Sequence, residues 1–446
     1  TMKFPNALAI IVGFVLFAGI LTYVIPQGEF DRVKDEESGR EMVVEGSYHQ
    51  VEADRLSPFD ILLTIPRGIE GRADLIVLIF LIGGAFVVID KTGALASGID
   101  YLAGKVAGKE WAALVALSGV FTFGGVVEGM QEELIGMIPV ILLLGRKLKY
   151  NALAMLSVSF GSAVVGAAFS PMNPFSVVIA QEVADLPFLS GFGYRFLMLM
   201  VAFALWTWIS IRYAFRNKTD GREADAEVLQ SSKLSGRHLL ILVLIPAAFA
   251  LLVIGFLKLD WGFEEMSAEF FVVGILAGLI GGLGINGTSE AYIQGFRDMT
   301  FACMVVGVAN SISLVLKDGT VIDTIVYGLF TPLKYLPSDL SAIGMMVAQS
   351  ALHFPVPSYS GQAILTMPIL IPLSDLLHIS RQVCILAYQY GAVMMDLILP
   401  TNGTLMAIIA IAGISYGDWF KFIWRKIALI LLLGAIAILV AHHTGF

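Results

Sequence analysis

"GGVVEGMQEELIGMIPV", residues 124–140, places Glu128, Glu132 and Glu133 inside a run that is otherwise apolar or small. A carboxylate at the centre of a bilayer costs about 2.5–3.5 kcal/mol on insertion scales, so three together demand a structural reason. Read as one straight helix, the surrounding segment 111–145 would be about 52 Å long, against a hydrocarbon core of about 30 Å. Gly124, Gly125 and Gly129 read as the break. The second arm, 133–145, would then span about 20 Å, too short to cross. The segment therefore reads as a re-entrant helical hairpin with its tip at "EGMQEE". Irregular backbone survives at that depth only when covered by protein or facing a water-filled cavity.

The composition agrees with a membrane setting. The chain has 446 residues, is 57% hydrophobic and only 14% charged, and has a mean hydropathy of +0.82. A soluble protein carries about 25% charged residues. Apolar runs at 7–25, 75–89, 196–211 and 239–257 can each cover a hydrocarbon core. The first run is read as a spanning helix, because "YVIPQGEF" after it lacks a small-x-small cleavage pattern. The net charge of −8 gives no pointer to nucleic acid. Cys303 and Cys384, isolated in apolar segments, read as packing residues.

Membrane-embedded segments are expected near 7–26, 72–90, 111–145, 149–184, 191–212, 236–256, 267–284, 299–317, 338–376, 379–416 and 420–441. They divide into a first half, 1–215, and a second half, 236–446, joined by a polar cytoplasmic linker at 216–235. Residues 27–56, acidic and turn-rich, read as a small extramembrane hairpin. "SPFDILLTIPRGIEG" (57–71) and "TSEAYIQGFRDM" (288–299) are amphipathic and read as interfacial. Most of the 28 lysines and arginines, including Lys91, Arg146, Lys147, Arg216, Arg237 and Arg425, fall on one side if the N-terminus is cytoplasmic. The positive-inside bias favours that orientation, in an inner membrane.

The first hairpin has a counterpart. "GMQEELIGMIPVILLL" (129–144) aligns with "SYSGQAILTMPILIPL" (358–373), pairing Pro139 with Pro368 and Glu133 with Gln362 at an offset of 229. The same offset pairs Pro171 with Pro400 and Asn173 with Asn402 in "SPMNPF" and "LPTNGT". Gly68 and Gly295 pair at 227. Threading the segments through a bilayer brings the hairpin at 111–145 in from inside and that at 338–376 from outside. The fold class is thus an all-α polytopic membrane protein. It is an inverted-topology repeat with two re-entrant helical hairpins and two broken helices (149–184 and 379–416), a pattern of secondary transporters.

Candidate site residues follow from the breaks and tips. In "SPMNPFS", Pro171 and Pro174 stop and restart the helix, with Asn173 at the N-cap. The carbonyls freed at 167–170 can bind a cation, and the new N-terminus an anionic group. "PTNGT" repeats this with Thr401, Asn402 and Thr404. The outer tip offers Ser358, Ser360 and Gln362, and the inner tip Glu132 and Glu133. Ser170, Glu128 and Asp396, one turn before Pro400, are the coupling-ion candidates. His353 lies near Ser358 and Ser360, but no Gly-x-Ser-x-Gly or His-Glu-x-x-His motif accompanies it. The chain is not expected to be an enzyme, and no metal or cofactor is expected beyond sodium or protons as the coupling ion.

"PSYSGQAILTMPILIPLSDLLHISRQ" (357–382), "GMQEEL", "SPMNPFSVVIAQEVADLPFLSGFGYR" (170–195) and "LTYVIPQGEFDRV" resemble the YfcC-like family over almost the whole chain. That family is grouped with C4-dicarboxylate anaerobic carriers and ArcD-type basic amino acid antiporters in the ion transporter superfamily. The resemblance implies a homodimer, with scaffold helices such as 72–90 and 299–317 and mobile transport units working as an elevator. In the dicarboxylate/sodium symporter branch each tip faces a Ser-Asn-Thr element. "SPMNP" and "PTNGT" match it in part, with Asn173 and Asn402 as the clearest carry-overs. The expected function is secondary active transport of a small charged solute across a lipid bilayer. Three tip glutamates favour a basic amino acid exchanged as arginine or ornithine. The alternatives are a C4-dicarboxylate transporter coupled to sodium or protons, and a channel or sensor on the same fold.

Overall fold

The apolar runs fold as helices throughout, and the polar stretch after the first of them folds as a small antiparallel ribbon. A computed structural model describes residues 7–34, 41–106, 108–218, 235–259 and 261–446. In the first half the helices are α1 (Ala7–Val24), α2 (Pro58–Glu70), α3 (Ala73–Lys91), α4 (Ala94–Val106), α5 (Glu110–Val127), α6 (Glu132–Lys147), α7 (Ala152–Val158), α8 (Phe160–Ala168), α9 (Ile179–Val183) and α10 (Phe192–Arg216). The second half holds α11 (Gly236–Lys258), α12 (Phe263–Ile280), α13 (Gly284–Asp318), α14 (Ile322–Phe330), α15 (Ser338–Leu352), α16 (Tyr359–Leu376), α17 (Arg381–Met394), α18 (Gly403–Ile411) and α19 (Tyr416–Thr444). Five of them, α3, α5, α10, α13 and α19, are long and apolar enough to cross a bilayer by themselves. The protein is an all-α polytopic membrane protein. Of the expected linker, residues 219–234 lie outside the described residues.

The segment 27–56 forms two short strand pairs, Gly28–Glu29 with His49–Gln50 and Arg32–Lys34 with Glu41–Val43. It docks on the start of α14. The Phe30 N–H donates to Asp323 at 2.9 Å, and the Arg32 guanidinium reaches the same carboxylate at 2.8 Å. The amphipathic segment before α3 becomes α2, started by a capping box between Ser57 and Asp60.

Two expectations are corrected. "TSEAYIQGFRDM" is not a separate interfacial helix; it is the first part of α13, a continuous helix of 35 residues. Gly295 within it is a contact point. A Cβ on Gly295 would lie 2.6 Å from the Cα of Gly84, so α3 and α13 cross at backbone distance there. Likewise Gly124 and Gly125 do not break the first hairpin but lie within α5. A Cβ on Gly125 would sit 1.9 Å from the Ala163 carbonyl oxygen, and one on Gly166 would sit 2.2 Å from that of Thr122. Small residues are there because α5 and α8 touch along their backbones. The chain turns at Gly129 instead, whose φ of +76° a residue with a Cβ rarely adopts.

The 229-residue offset recurs in the hydrogen bonds. Thr122 Oγ1 donates to the Ser162 carbonyl at 3.2 Å, and Ser350 Oγ donates to the Gly391 carbonyl at 3.0 Å. Ser162 and Gly391 are 229 positions apart, while their donors Thr122 and Ser350 are 228 apart. Asn173 Oδ1 accepts from the Ser176 N–H at 3.0 Å, and Asn402 Oδ1 accepts from the Leu405 N–H at 2.9 Å. In each half one hydroxyl of the first hairpin arm bonds a carbonyl of the broken helix, and an asparagine caps the helix that follows the break.

Candidate solute-binding site

The turn after α5 and the turn before α16 meet. Gln131, at the start of α6, is 4% exposed and its side chain does not cap its own helix. Its Nε2 instead donates to the Tyr359 hydroxyl and, at 2.8 Å, to Asp396 Oδ2. Tyr359, the first residue of α16, donates its hydroxyl to the same Asp396 oxygen. Asp396 lies in the short 3₁₀ turn between α17 and the break before α18. Both hairpin tips and the second broken helix therefore share one carboxylate.

A cavity of about 630 Å³ opens at this meeting point. Glu128, Gly129, Gln131, Glu132 and Glu133 line it from the first tip. Ser358, Tyr359 and Ser360 line it from the second, with Asp396 and Asn402 from the second broken helix. Arg72, Trp261, Phe263 and Met266 close it from α3 and α12. Glu128 and Glu133 are nearly buried, at 6% and 5% exposure. Glu133 accepts from the Gln131 N–H at 3.2 Å. One oxygen of Glu128 is buried without a hydrogen-bond partner among the described residues. A buried acceptor left open at a cavity wall is the place where a bound donor belongs.

The other candidates divide. Ser358 caps α16, accepting from the Gly361 N–H at 3.3 Å, and still faces the cavity with Ser360. Asn402 does both jobs in the same way, capping α18 and lining the cavity. Thr401 and Thr404 are buried beside it, and the Thr401 hydroxyl has no partner among the described residues. Asn173 is wholly buried, and its side chain is committed to backbone: it accepts from the Phe175 and Ser176 N–H groups and donates to the Gly125 carbonyl at 3.0 Å. It stands behind the first tip rather than in the cavity wall. Gln362 is likewise wholly buried, bonded to His353 and Gln349. Ser170 donates to the Val126 carbonyl at 2.8 Å and accepts from the Met172 and Asn173 N–H groups.

The carbonyls freed at the breaks already have protein donors. Gln389 Nε2 donates to the Ser170 carbonyl at 2.8 Å and to that of Ala167 at 3.3 Å. Arg195, wholly buried, holds the other end of that amide at 2.7 Å. At the second break, Trp419 Nε1 donates to the Leu397 carbonyl at 2.8 Å and the Tyr416 hydroxyl to that of Ile398 at 2.6 Å.

Arg72 is the residue that sequence reasoning missed. It lies just before the apolar run of α3 and counts there only as a boundary charge, yet it lines the cavity opposite the glutamates. Among the described residues its guanidinium makes no salt bridge or side-chain hydrogen bond. A half-buried cation that shares the cavity wall with Glu132 and the other carboxylates makes the site dipolar.

Comparison with known proteins adds the family. The family model of DcuC, the C4-dicarboxylate anaerobic carrier, matches residues 4–443. The putative basic amino acid antiporter YfcC of Escherichia coli is 29% identical over 493 residues, covering 99% of this chain and 97% of that protein. An uncharacterized protein of Haemophilus influenzae is 28% identical over 495 residues with the same coverage. Among solved structures, the YdaH transporter of Alcanivorax borkumensis matches at 16% identity and a TM-score of 0.46, covering 99% of both chains. MtrF of Neisseria gonorrhoeae matches at 16% and 0.44, covering 98% of this chain and 95% of that one.

Proposed function

The chain belongs to the C4-dicarboxylate anaerobic carrier family of membrane transporters, and from that premise we propose that it exchanges a basic amino acid such as arginine or ornithine. The observation that carries this reading is the charge of the cavity: Glu128, Glu132, Glu133 and Asp396 against the single guanidinium of Arg72. Asp396 is already paired. When ionised, the three tip glutamates carry an excess of negative charge that a cationic side chain neutralises. The open oxygen of Glu128 takes one of its N–H donors. The α-carboxylate goes to Arg72 and to the start of α18 at Asn402, where the helix dipole favours an anion. The relative YfcC, described as a putative basic amino acid antiporter, agrees with this charge pattern.

A C4-dicarboxylate, with sodium or protons screening the glutamates, is the second reading. The unpaired Arg72 and the family's description favour it. Radiolabelled counterflow in proteoliposomes separates the two. Wild type is expected to exchange arginine or ornithine, and Glu132→Gln and Glu133→Gln each to slow it about tenfold or more, the worth of one charge-assisted contact. Succinate or malate uptake with no arginine exchange, indifferent to both substitutions, would overturn the basic amino acid assignment.

Three further properties belong to the same reading. The positive-inside bias puts the N-terminus in the cytoplasm of an inner membrane, and Arg72, Trp261 and Phe263 then sit at the outer ends of their helices, so the cavity faces outward. Transport proceeds as an elevator, with α5–α9 and α15–α18 moving past α3 and α13. The molecule is a homodimer held through the scaffold helices. Native mass measurement in lipid tests the last point: two copies of the 48.1 kDa chain are expected, and a stable single copy opposes it.

A further inference from the structure

Behind the cavity lies a closed set of side-chain hydrogen bonds whose directions can be assigned one by one. Thr366 Oγ1 donates to the Gln362 carbonyl at 2.8 Å, so it must accept from Gln349 Nε2, also at 2.8 Å. That fixes Gln349 Oε1 as an acceptor, and Gln362 Nε2 donates to it and to the Gln349 carbonyl. The remaining atom of the Gln362 amide is therefore its oxygen, and it faces His353 Nδ1 at 2.7 Å. Nδ1 must carry a hydrogen. The other ring nitrogen, Nε2, stands 2.9 Å from Asp396 Oδ1. A neutral imidazole donates from one nitrogen only. With Nδ1 already donating, the contact between Nε2 and Oδ1 needs a further proton, carried either by the ring or by the carboxyl. Without it, a lone pair faces a carboxylate where His353 is 0% and Asp396 3% exposed.

We propose that His353 and Asp396 form a one-proton binding site that latches the two hairpin tips together, making the proton a coupling ion of this transporter. The proposal rests on the transport reading for its purpose, but not for its test. His353 ends α15, the first arm of the outer hairpin. Asp396 takes Tyr359 from the second arm and Gln131 from the inner tip on its other oxygen. With the proton in place the pair is neutral overall, and all these contacts hold. When the proton leaves, the pair carries one buried negative charge and has lost one hydrogen bond, so the tips part. The closed latch binds the proton more tightly than the open one, so raising the pH favours opening. The other ionisable groups around the pair are Tyr359 from α16, Tyr388 from α17, and Glu132, Glu128, Glu133 and Arg72 around the cavity. Tyr388 is already engaged, donating to the Tyr359 carbonyl at 2.6 Å.

The test needs no solute. Ser360→Cys, at the outer tip, is labelled by a water-soluble maleimide in the full-length protein, against Thr444→Cys as an exposed control for thiol ionisation. The normalised rate is expected to rise about tenfold from about pH 5 to about pH 8. Asp396→Asn should hold the rate flat and low. Its amide donates to Nε2 and accepts from Tyr359 and Gln131, so every hydrogen bond survives without a titrating proton. His353→Gln, which can donate to Oδ1 from the Nε2 position, should also be flat and guards against a folding failure in the first variant. A flat rate in the unmodified pair, or a rise that persists in both variants, overturns the proposal. A rise abolished by both variants, in a protein that moves neither arginine nor succinate, upholds the proton site and defeats the transport assignment instead.

Discussion

Asn173 and Asn402 sit where their flanking residues dictate. Each follows a proline-marked break, precedes a helix, and caps it with its side-chain oxygen. That much is local and legible from sequence. What is not local is the fate of the carbonyls the break sets free. Gln389 reaches Ser170 from 219 positions away, and nothing beside either residue announces the pairing. For the same reason nothing local brings Arg72 to the cavity or His353 to Asp396: a charge at a helix boundary and a histidine near serines have ordinary readings until the fold brings in their neighbours. Gln389 is also a test of how much these partners matter. Gln389→Leu removes the donor to Ser170 and Ala167 and the acceptor for Arg195, leaving buried groups open on both sides. An orphaned buried polar group costs about 1–3 kcal/mol, and more where one is charged. The variant is therefore expected to unfold at a clearly lower temperature in detergent, measured by thermal melting against wild type. An unchanged melting temperature would mean that water or a bound ion replaces the amide there.

At the scale of elements, the hairpins were readable because length arithmetic excludes the alternative. A segment of 111–145 cannot be one spanning helix, and Gly129 supplies the turn. The amphipathic pattern misled at α13, where 288–299 is no separate interfacial piece but part of a continuous helix of 35 residues. The difference lies in what the glycines meet. Gly129 has a positive φ and lies between α5 and α6. Gly295 and Gly307 have helical backbones and face Gly84 and Ile69 across tight crossings. Sequence gives the glycine but not its neighbour, so a break and a close approach look alike. Gly124 and Gly125 were misread for the same reason. The hydrogen bonds of Thr122 and Ser350 each set a hairpin-arm hydroxyl on a broken-helix carbonyl, a likeness between the halves that proline and asparagine spacing does not show.

For the whole molecule, the charge bias and the contacts can be set against each other, because neither was used to derive the other. The segments assigned to the cytoplasmic side meet one another: Lys147 pairs with Asp100 at 2.6 Å, Ser97 meets His238 at 3.0 Å, and Tyr150 bridges to Lys218. Those assigned to the outer side meet too. The Arg381 guanidinium reaches the Ala184 carbonyl at 2.9 Å, Ser380 bonds the Phe446 carbonyl, and Arg67 pairs with Asp318 at 2.6 Å. These groupings put the start of α7 and the loop after α9 on opposite faces. Under that assignment the open ends of the two hairpins belong to different groups, which is what inverted insertion requires. The experiment follows from exposure. Arg146, at the open end of the first hairpin, and Asp185, after α9, both present side chains to solvent. Single cysteines at Arg146 and Asp185 should react with a membrane-impermeant thiol reagent from opposite sides, compared in right-side-out and inverted vesicles. The native Cys303 and Cys384 are buried and should contribute little background. The assignment requires Arg146→Cys to be reached from the cytoplasmic face and Asp185→Cys from the other. Labelling of both from one face would rule out inverted insertion of the two hairpins, and with it an elevator built on two opposed tips.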